Sequence, residues 1–315
     1  MNLSTRFPEV LRRPETPATS WGRHEYITHW AQSSGAFLAP VPQSETGPLP
    51  SMLSFKMAFD GQLPLIVGRR RLVLSPGLYL RVNAGQEYAV QAHGGAPVRC
   101  LSLHVRDELA SALARDAALG WPQALEPRTD APPAPLVREQ LCVPDESLQP
   151  WLMRLCAAIE DCSGDTHAVE ADFIALVVAL LRCEQGQREH AQGALKALRL
   201  ATREELVRRI GLATDFIHSN FSEPIGLDDI AGAAHLSKFH MLRAFCQLHH
   251  CTPHQFLLAQ RVRAAQRLLN DESLSLDAVA LGAGFGSRWS MQRALRERLG
   301  ASGRTLRRRQ LSSTT

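Results

Sequence analysis

Long hydrophobic runs are missing from this sequence. The longest, FIALVVALL from Phe173 to Leu181, covers nine residues between Asp172 and Arg182, whereas about 20 are needed to cross a bilayer. The opening residues, MNLSTRFPEVLRRPETP, lack the apolar core of a secretory signal. Paired cysteine motifs are missing too. The seven cysteines are odd in number and scattered, with no C-x-x-C among them, which argues against a disulfide framework and for a reducing compartment. Together these absences predict a soluble, cytoplasmic protein with no membrane partner. Neither G-x-S-x-G nor a phosphate-binding glycine loop occurs, so the common hydrolase and nucleotide-binding signatures are absent. The strand-rich region contains no H-x-H. His104 and Glu108 are four apart, but they fall where strand gives way to helix, and His93 sits in a glycine-rich turn. A metal enzyme is therefore disfavoured, and no catalytic residue, metal ligand or cofactor is assigned.

What is present is 315 residues, 45% of them apolar, enough for two folded domains and too apolar for a disordered polymer. The net charge of +4 is unevenly spread. Residues 201–315 carry 16 Lys and Arg against 10 Asp and Glu, and the first 200 carry 19 against 21. From Arg288 to Arg309 eight arginines face Glu297 alone. A basic C-terminal third suggests a nucleic-acid module; a solvated charged face is the other reading.

From Ser51 to Val105 short apolar runs are broken by turns at Gly68, Ser75-Pro76-Gly77, Asn83-Ala84-Gly85 and His93-Gly94-Gly95. The stretch from Leu63 predicts four strands, and the whole a small sandwich or barrel. A helix is expected over Asp107–Leu119, then a proline-rich connector from Pro122 to Pro144, then helices near Leu148–Asp161 and His167–Glu184. The apolar run in the last of these needs a core or a partner chain to cover it. EQGQREHAQG, Glu184 to Gly193, reads as a polar linker or a weakly packed helix end.

The remainder is helical and internally repeated. LDDIAGAA at Leu227–Ala234 matches LDAVALGA at Leu276–Ala283, and SKFHMLRAF at Ser237–Phe245 matches SRWSMQRAL at Ser287–Leu295. Each copy predicts a short helix, a tight turn and a second helix, the helix-turn-helix layout. Met241, Phe245 and Leu248 in one second helix, and Met291, Leu295 and Leu299 in the other, have core spacing. That leaves Phe239, Leu242, Arg243 and Gln247 outward in the first copy, and Arg288, Trp289, Gln292, Arg293 and Arg296 in the second. Exposed aromatics beside arginines imply either a covering neighbour domain or a major groove, where Arg reads guanine, Gln reads adenine and an apolar group touches thymine. Ser237 and Ser287 stand at N-cap positions, and Lys238 and Arg288 are placed to reach phosphate. Between the copies, TPHQ (Thr252 to Gln255) is a capping box opening a helix that runs to about Asn270.

On these phrases, with TPHQFLLAQRVRAAQRLL between them, residues from about Leu227 to Arg309 resemble the AraC/XylS family of bacterial transcription regulators. The resemblance implies an α+β chain. A cupin-like small β-barrel or sandwich with flanking helices would occupy residues 1–185 as a sensing and dimerisation domain. A linker would follow at 186–204, and then, at 205–315, an all-α DNA-binding domain of two helix-turn-helix units joined by a long helix. It implies that Phe239, Leu242 and Arg243 read one groove and Arg288, Trp289, Ser290, Gln292 and Arg293 the next. Lys238, His240, Gln247 and Ser287 complete the candidate set. The partners it implies are double-stranded DNA, RNA polymerase, a second copy of the chain and a small-molecule effector, with activation as the output. Phe55, Tyr79 and Tyr88 are the candidate effector pocket, or plain core. The sequence departs from the family at Gly303, which stands where Pro253 stands in the first copy, and at Leu295 and Leu299, where phenylalanine is common. Two rival readings remain. A cysteine-based redox switch is one, though Cys156 and Cys162, six apart, are not on one helical face. The other is a metal site among the histidines and cysteines of HLSKFHMLRAFCQLHHCTPH, a stretch the family pattern explains without metal.

Overall fold

The computed structural model describes residues 34–41, 47–91, 96–118, 137–160, 166–195 and 199–312. The expected turn at His93–Gly95, residues 122–136 of the connector and Cys162 lie outside these. The chain divides into two compact units, Met1–Gly193 and Ala194–Thr315.

The N-terminal unit is built on two antiparallel sheets. Strands β1 (Gly35–Val41), β3 (Leu53–Ala58), β6 (Tyr79–Val82), β8 (Val98–Val105) and β9 (Leu141–Cys142) form the first, in the order β1-β8-β3-β6-β9. Strands β2 (Leu49–Pro50), β4 (Leu63–Val67), β5 (Arg70–Leu74) and β7 (Glu87–Val90) form the second, in the order β2-β7-β4-β5. Leu63 to Val105 thus holds five strands rather than four. The turn expected at Gly68 is present: its φ of 59° lets β4 and β5 close into a tight hairpin. Among the described residues no strand pairs across the two sheets, so they form an open sandwich rather than a closed barrel.

Leu65, Leu74, Leu80, Val82, Val90 and their neighbours fill the space between the sheets. The opposite face of the first sheet carries Leu53, Phe55, Met57, Tyr79, Leu101, Leu103 and Val105, and helices cover it. These are α1 (Asp107–Ala118), α2 (Gln149–Glu160) and α3 (Thr166–Ala194). Phe173, Leu176, Val177 and Leu180 of α3 are buried there, so the apolar run finds its cover within the chain. The helix does not stop at Glu184: the segment read as a polar linker or a weakly packed helix end is helical through Ala194. Glu184 is itself buried. Its carboxylate pairs with the fully buried Arg81 on β6 and accepts from Arg138 Nε at 3.3 Å and Arg188 Nε at 2.8 Å. Gln187 accepts from Arg81 at 3.1 Å. Polar residues that look like a linker in sequence therefore pin the helix to the sheet.

Among its described residues the C-terminal unit has helices alone: α4 (Leu200–Asn220), α5 (Leu227–Ala233), α6 (Lys238–His249), α7 (Pro253–Leu268), α8 (Leu276–Gly282), α9 (Arg288–Leu299) and α10 (Gly303–Ser312). One core runs through it from Ile210 to Leu295.

Candidate nucleic-acid interface

The repeat folds as two copies of one device. In the first, α5 ends in a turn whose His235 has φ 51°, and Leu236 N donates back to Ala231 O at 3.1 Å. In the second, α8 ends in a turn whose Gly284 has φ 78°, and Phe285 N donates to Ala280 O at 2.8 Å. The extra residue, Gly286, precedes the next cap. Ser237 caps α6 by accepting from His240 N, and Ser287 caps α9 by accepting from Ser290 N. Each cap satisfies a backbone donor that the first helical turn leaves open. Met241 and Phe245, like Met291 and Leu295, are fully buried, as their spacing requires.

The outward residues follow the same duplication. Phe239 is 70% exposed and Trp289 is 68% exposed. Arg243 and Arg293 lie one turn further along, both exposed. At the helix starts Lys238 pairs with Asp228 at 2.6 Å, and Arg288 with Asp277 at 3.7 Å. Asp228 and Asp277 are equivalent residues of α5 and α8, so each copy ties its second helix to its first through the same ion pair. Sequence reasoning missed these pairs, although the matching Asp in LDDIAGAA and LDAVALGA was their signal.

The copies differ beyond this. Arg293 donates to Glu297 at 2.7 Å and lies 5.8 Å from the centre of the Trp289 ring, a cation–π arrangement. Gln247 stands where Glu297 does, and no ion pair holds Arg243 among the described residues. His240 accepts or donates at 3.1 Å to Ser237 Oγ, and Gln247 is exposed. Leu242 is half-buried. Gln292 does not present its carboxamide oxygen outward: it accepts from Gly303 N at 3.0 Å. That bond explains the departure at Gly303, because proline has no N–H to give. Ser287 and Ser290 are occupied by their capping box, Ser290 Oγ also donating to Ser287 O at 2.7 Å.

Thr252 and Gln255 form the expected capping box, and α7 is 16 residues long, about 24 Å at 1.5 Å per residue. Arginines fix it at mid-helix and at its C-terminal end. Arg261 donates to Phe221 O and Glu223 O, both at 2.7 Å, where α4 ends. Arg307 of α10 donates to Leu269 O at 3.2 Å and Leu274 O at 2.9 Å, where α7 ends. Of the arginine triplet, Arg307 is thus a helix clamp and Arg308 is exposed, while the Arg309 side chain lies outside the description. Under the first copy His218 is fully buried. Burial, then Arg263 and His249, depress its pKa to about 3. His249 packs on Phe245 and Phe256 and sits 3.2 Å from Thr214 Oγ1. The histidines of this stretch therefore divide between core and surface, and among the described residues no group of three His, Cys, Asp or Glu could hold a metal ion.

In the N-terminal unit, Phe55, Tyr79 and Tyr88 are all buried but do not share one cavity. Phe55 and Tyr79 face the helices, whereas Tyr88 lies between the sheets.

A family model described as a helix-turn-helix domain matches residues 230–309. The HTH-type transcriptional regulator GbdR of Pseudomonas aeruginosa is 29% identical over 116 residues, which are 37% of this chain and 30% of GbdR. The match thus spans less than a third of that relative's length. The crystallised DNA-binding domain of AdpA, a global transcriptional factor in complex with a target DNA, is 30% identical. That alignment covers 31% of this chain and 89% of the domain, with a TM-score of 0.31. A Chromobacterium violaceum regulator described by its AraC-type DNA-binding domain is 26% identical, covering 35% of this chain and 94% of its own, with a TM-score of 0.30. Through its paired helix-turn-helix units, the chain belongs to the AraC/XylS family of transcription regulators.

Proposed function

We propose that this chain regulates transcription by binding double-stranded DNA with α6 and α9 in two successive major grooves. One observation carries the reading: an exposed aromatic and an exposed arginine recur at the same two places of both second helices, Phe239 with Arg243 and Trp289 with Arg293. Neither aromatic buries itself in the core beneath it, and side chains of this kind match base edges and thymine methyls. Arg243 and Arg293 are the base readers. Lys238, Arg288 and His240 hold phosphates, while Phe239, Trp289, Leu242 and Gln247 line the groove. Ser287, Ser290 and Gln292 act chiefly by shaping α9, given the bonds they already make. The helix α7, clamped at mid-helix and at its C-terminal end, sets the two readers near the 34 Å repeat of the duplex.

The output is activation through RNA polymerase, controlled by a small-molecule effector in a cupin-like N-terminal unit that also dimerises. Half-exposed Ile174 and Val178 of α3 and exposed Met153 of α2 support a self-association face on these helices. The redox alternative is weaker, because burial raises the Cys100 thiol to about 12 and Cys156 to about 11, and also raises Cys183 and Cys251. Such thiols hold their protons and react slowly.

Selection of genomic fragments by the purified chain tests the proposal. Bound fragments should share two short motifs one helical turn apart. Each arginine contributing base contacts should cost about 1–3 kcal/mol when removed, at its own motif only. Fragments with no shared sequence would defeat the reading.

A further inference from the structure

Glu297 is the single carboxylate among eight arginines between Arg288 and Arg309, and it stands in the last turn of α9. Helix energetics give no reason for it there. A negative charge near a helix C-terminus opposes the helix dipole, and an arginine four residues before its glutamate is the poorer order of that pair. Both side chains are more than half exposed, 63% for Arg293 and 55% for Glu297, so the bond adds little to stability. What it changes is the reading arginine. Arg293 Nε donates to Glu297 at 2.7 Å, and the guanidinium lies over the Trp289 ring. Trp289, Arg293 and Glu297 thus form a chain at intervals of four residues along α9. Phe239, Arg243 and Gln247 hold the same places in the first copy, and there the last of the three carries no charge.

We propose that Glu297 is a specificity-determining residue that acts through Arg293, confining its guanidinium to guanine and turning it away from phosphate. A guanidinium presents its N–H groups as a side-on fork, from Nε and one Nη, and an end-on fork from both Nη. With Nε taken, the end-on fork is what Arg293 has left, and it spans the O6 and N7 of a guanine. The carboxylate beside it repels the phosphates that supply non-specific affinity. Specificity is a difference of affinities, so a charge that weakens every contact but weakens the wrong ones more raises it. The second unit therefore demands one base, while the first, with Gln247 in place of a carboxylate, accepts several under Arg243. The inference rests on the reading that α6 and α9 both enter major grooves.

The test is competition binding of the full chain, at fixed salt, to three duplexes. These are a site taken from the selected genomic fragments, the same site with the guanine under Arg293 exchanged for adenine, and an unrelated sequence. The parent should prefer the guanine site to the adenine site by about tenfold. Glu297→Gln should bind every duplex more tightly and the unrelated one most, so that both preferences shrink by about threefold. It should also melt no lower than the parent. Gln247→Glu should do the reverse in the first copy, sharpening base preference under Arg243 and weakening the unrelated duplex. Unchanged preferences in Glu297→Gln, or a Gln247→Glu chain that loses affinity for all three duplexes equally, overturn the proposal. So does a lower melting temperature in Glu297→Gln, which would make the ion pair a structural one. Arg293→Ala identifies the guanine, as the base whose preference it abolishes; should it abolish none, the groove reading itself fails and the proposal with it. A preference lost in Arg293→Ala and kept in Glu297→Gln overturns the role of Glu297 alone.

Discussion

Gly284→Ala tests why the two turns differ. Both turn residues have positive φ, but the first copy uses a histidine there and the second a glycine. A left-handed conformation costs a non-glycine residue about 1–2 kcal/mol, and His235 shows that the fold tolerates that cost. Space is the difference. A Cβ on Gly284 would lie 2.4 Å from Phe221 O and 2.7 Å from Ser222 Cα. The obstructing atoms are backbone, and Arg261 holds the same carbonyl at 2.7 Å, so they cannot swing aside as a side chain would. Strain of the backbone and displacement of the clamp should together cost about 3–5 kcal/mol. His235→Gly, by contrast, should be neutral or stabilising by up to about 1 kcal/mol, since it relieves a strained residue. Native-state hydrogen exchange of the full chain reads this locally. Amides of α8 and α9 should exchange at least 100-fold faster in Gly284→Ala, with N-terminal peptides unchanged. If Gly284→Ala changes exchange by less than fivefold, the approach of α8 to the end of α4 is not tight and the reasoning fails.

Three further outcomes follow from the same structure. Glu184→Gln removes the carboxylate partner of a fully buried arginine and should destabilise the N-terminal unit by about 3–5 kcal/mol in thermal unfolding; a loss below 1 kcal/mol would show that Arg138, Arg188 and Gln187 rearrange to compensate. His218 is held neutral, with a folded pKa of about 3 below the ordinary 6.5. Its contribution is complete above pH 6.5 and shrinks as acid protonates the unfolded chain. The C-terminal unit should lose about 2 kcal/mol between pH 7 and pH 5, and His218→Leu should flatten that stretch of the stability profile; an unchanged slope contradicts the assignment. Glu297→Gln releases Arg293 from its 2.7 Å bond and removes a negative charge beside the reading face, so DNA affinity at low salt should rise severalfold; a fall would mean that Glu297 positions Arg293 for its base.

The C-terminal half was legible because it is written twice. Met241 with Phe245, and Met291 with Leu295, keep helical spacing in both copies, and the caps at Ser237, Thr252 and Ser287 use side chains whose role depends on local geometry alone. The N-terminal half was less legible, for a physical reason. Arg81, Glu184 and Lys56 are buried charges, and a reading that equates polarity with solvent places them outside. Glu184 therefore looked like the start of a linker or of a weakly packed helix end, and the alternation of β3 and β8 concealed that Ser54, Lys56, Ser102 and His104 are buried. The bond of Gln292 was hidden for a related reason: its neighbour Gly303 is 11 residues away, and only the fold reveals that a missing proline leaves an N–H for its carboxamide to accept from.

The central claim is that α6 and α9 each read DNA. A nuclease footprint of the full chain on the DNA flanking its own gene, beside Arg243→Ala and Arg293→Ala, tests it most directly. Two protected segments one helical turn apart are expected per chain, with each variant losing protection over a different one. Protection of a single segment, or both variants losing the same one, would mean that only one copy of the repeat reads DNA and that the other serves packing alone.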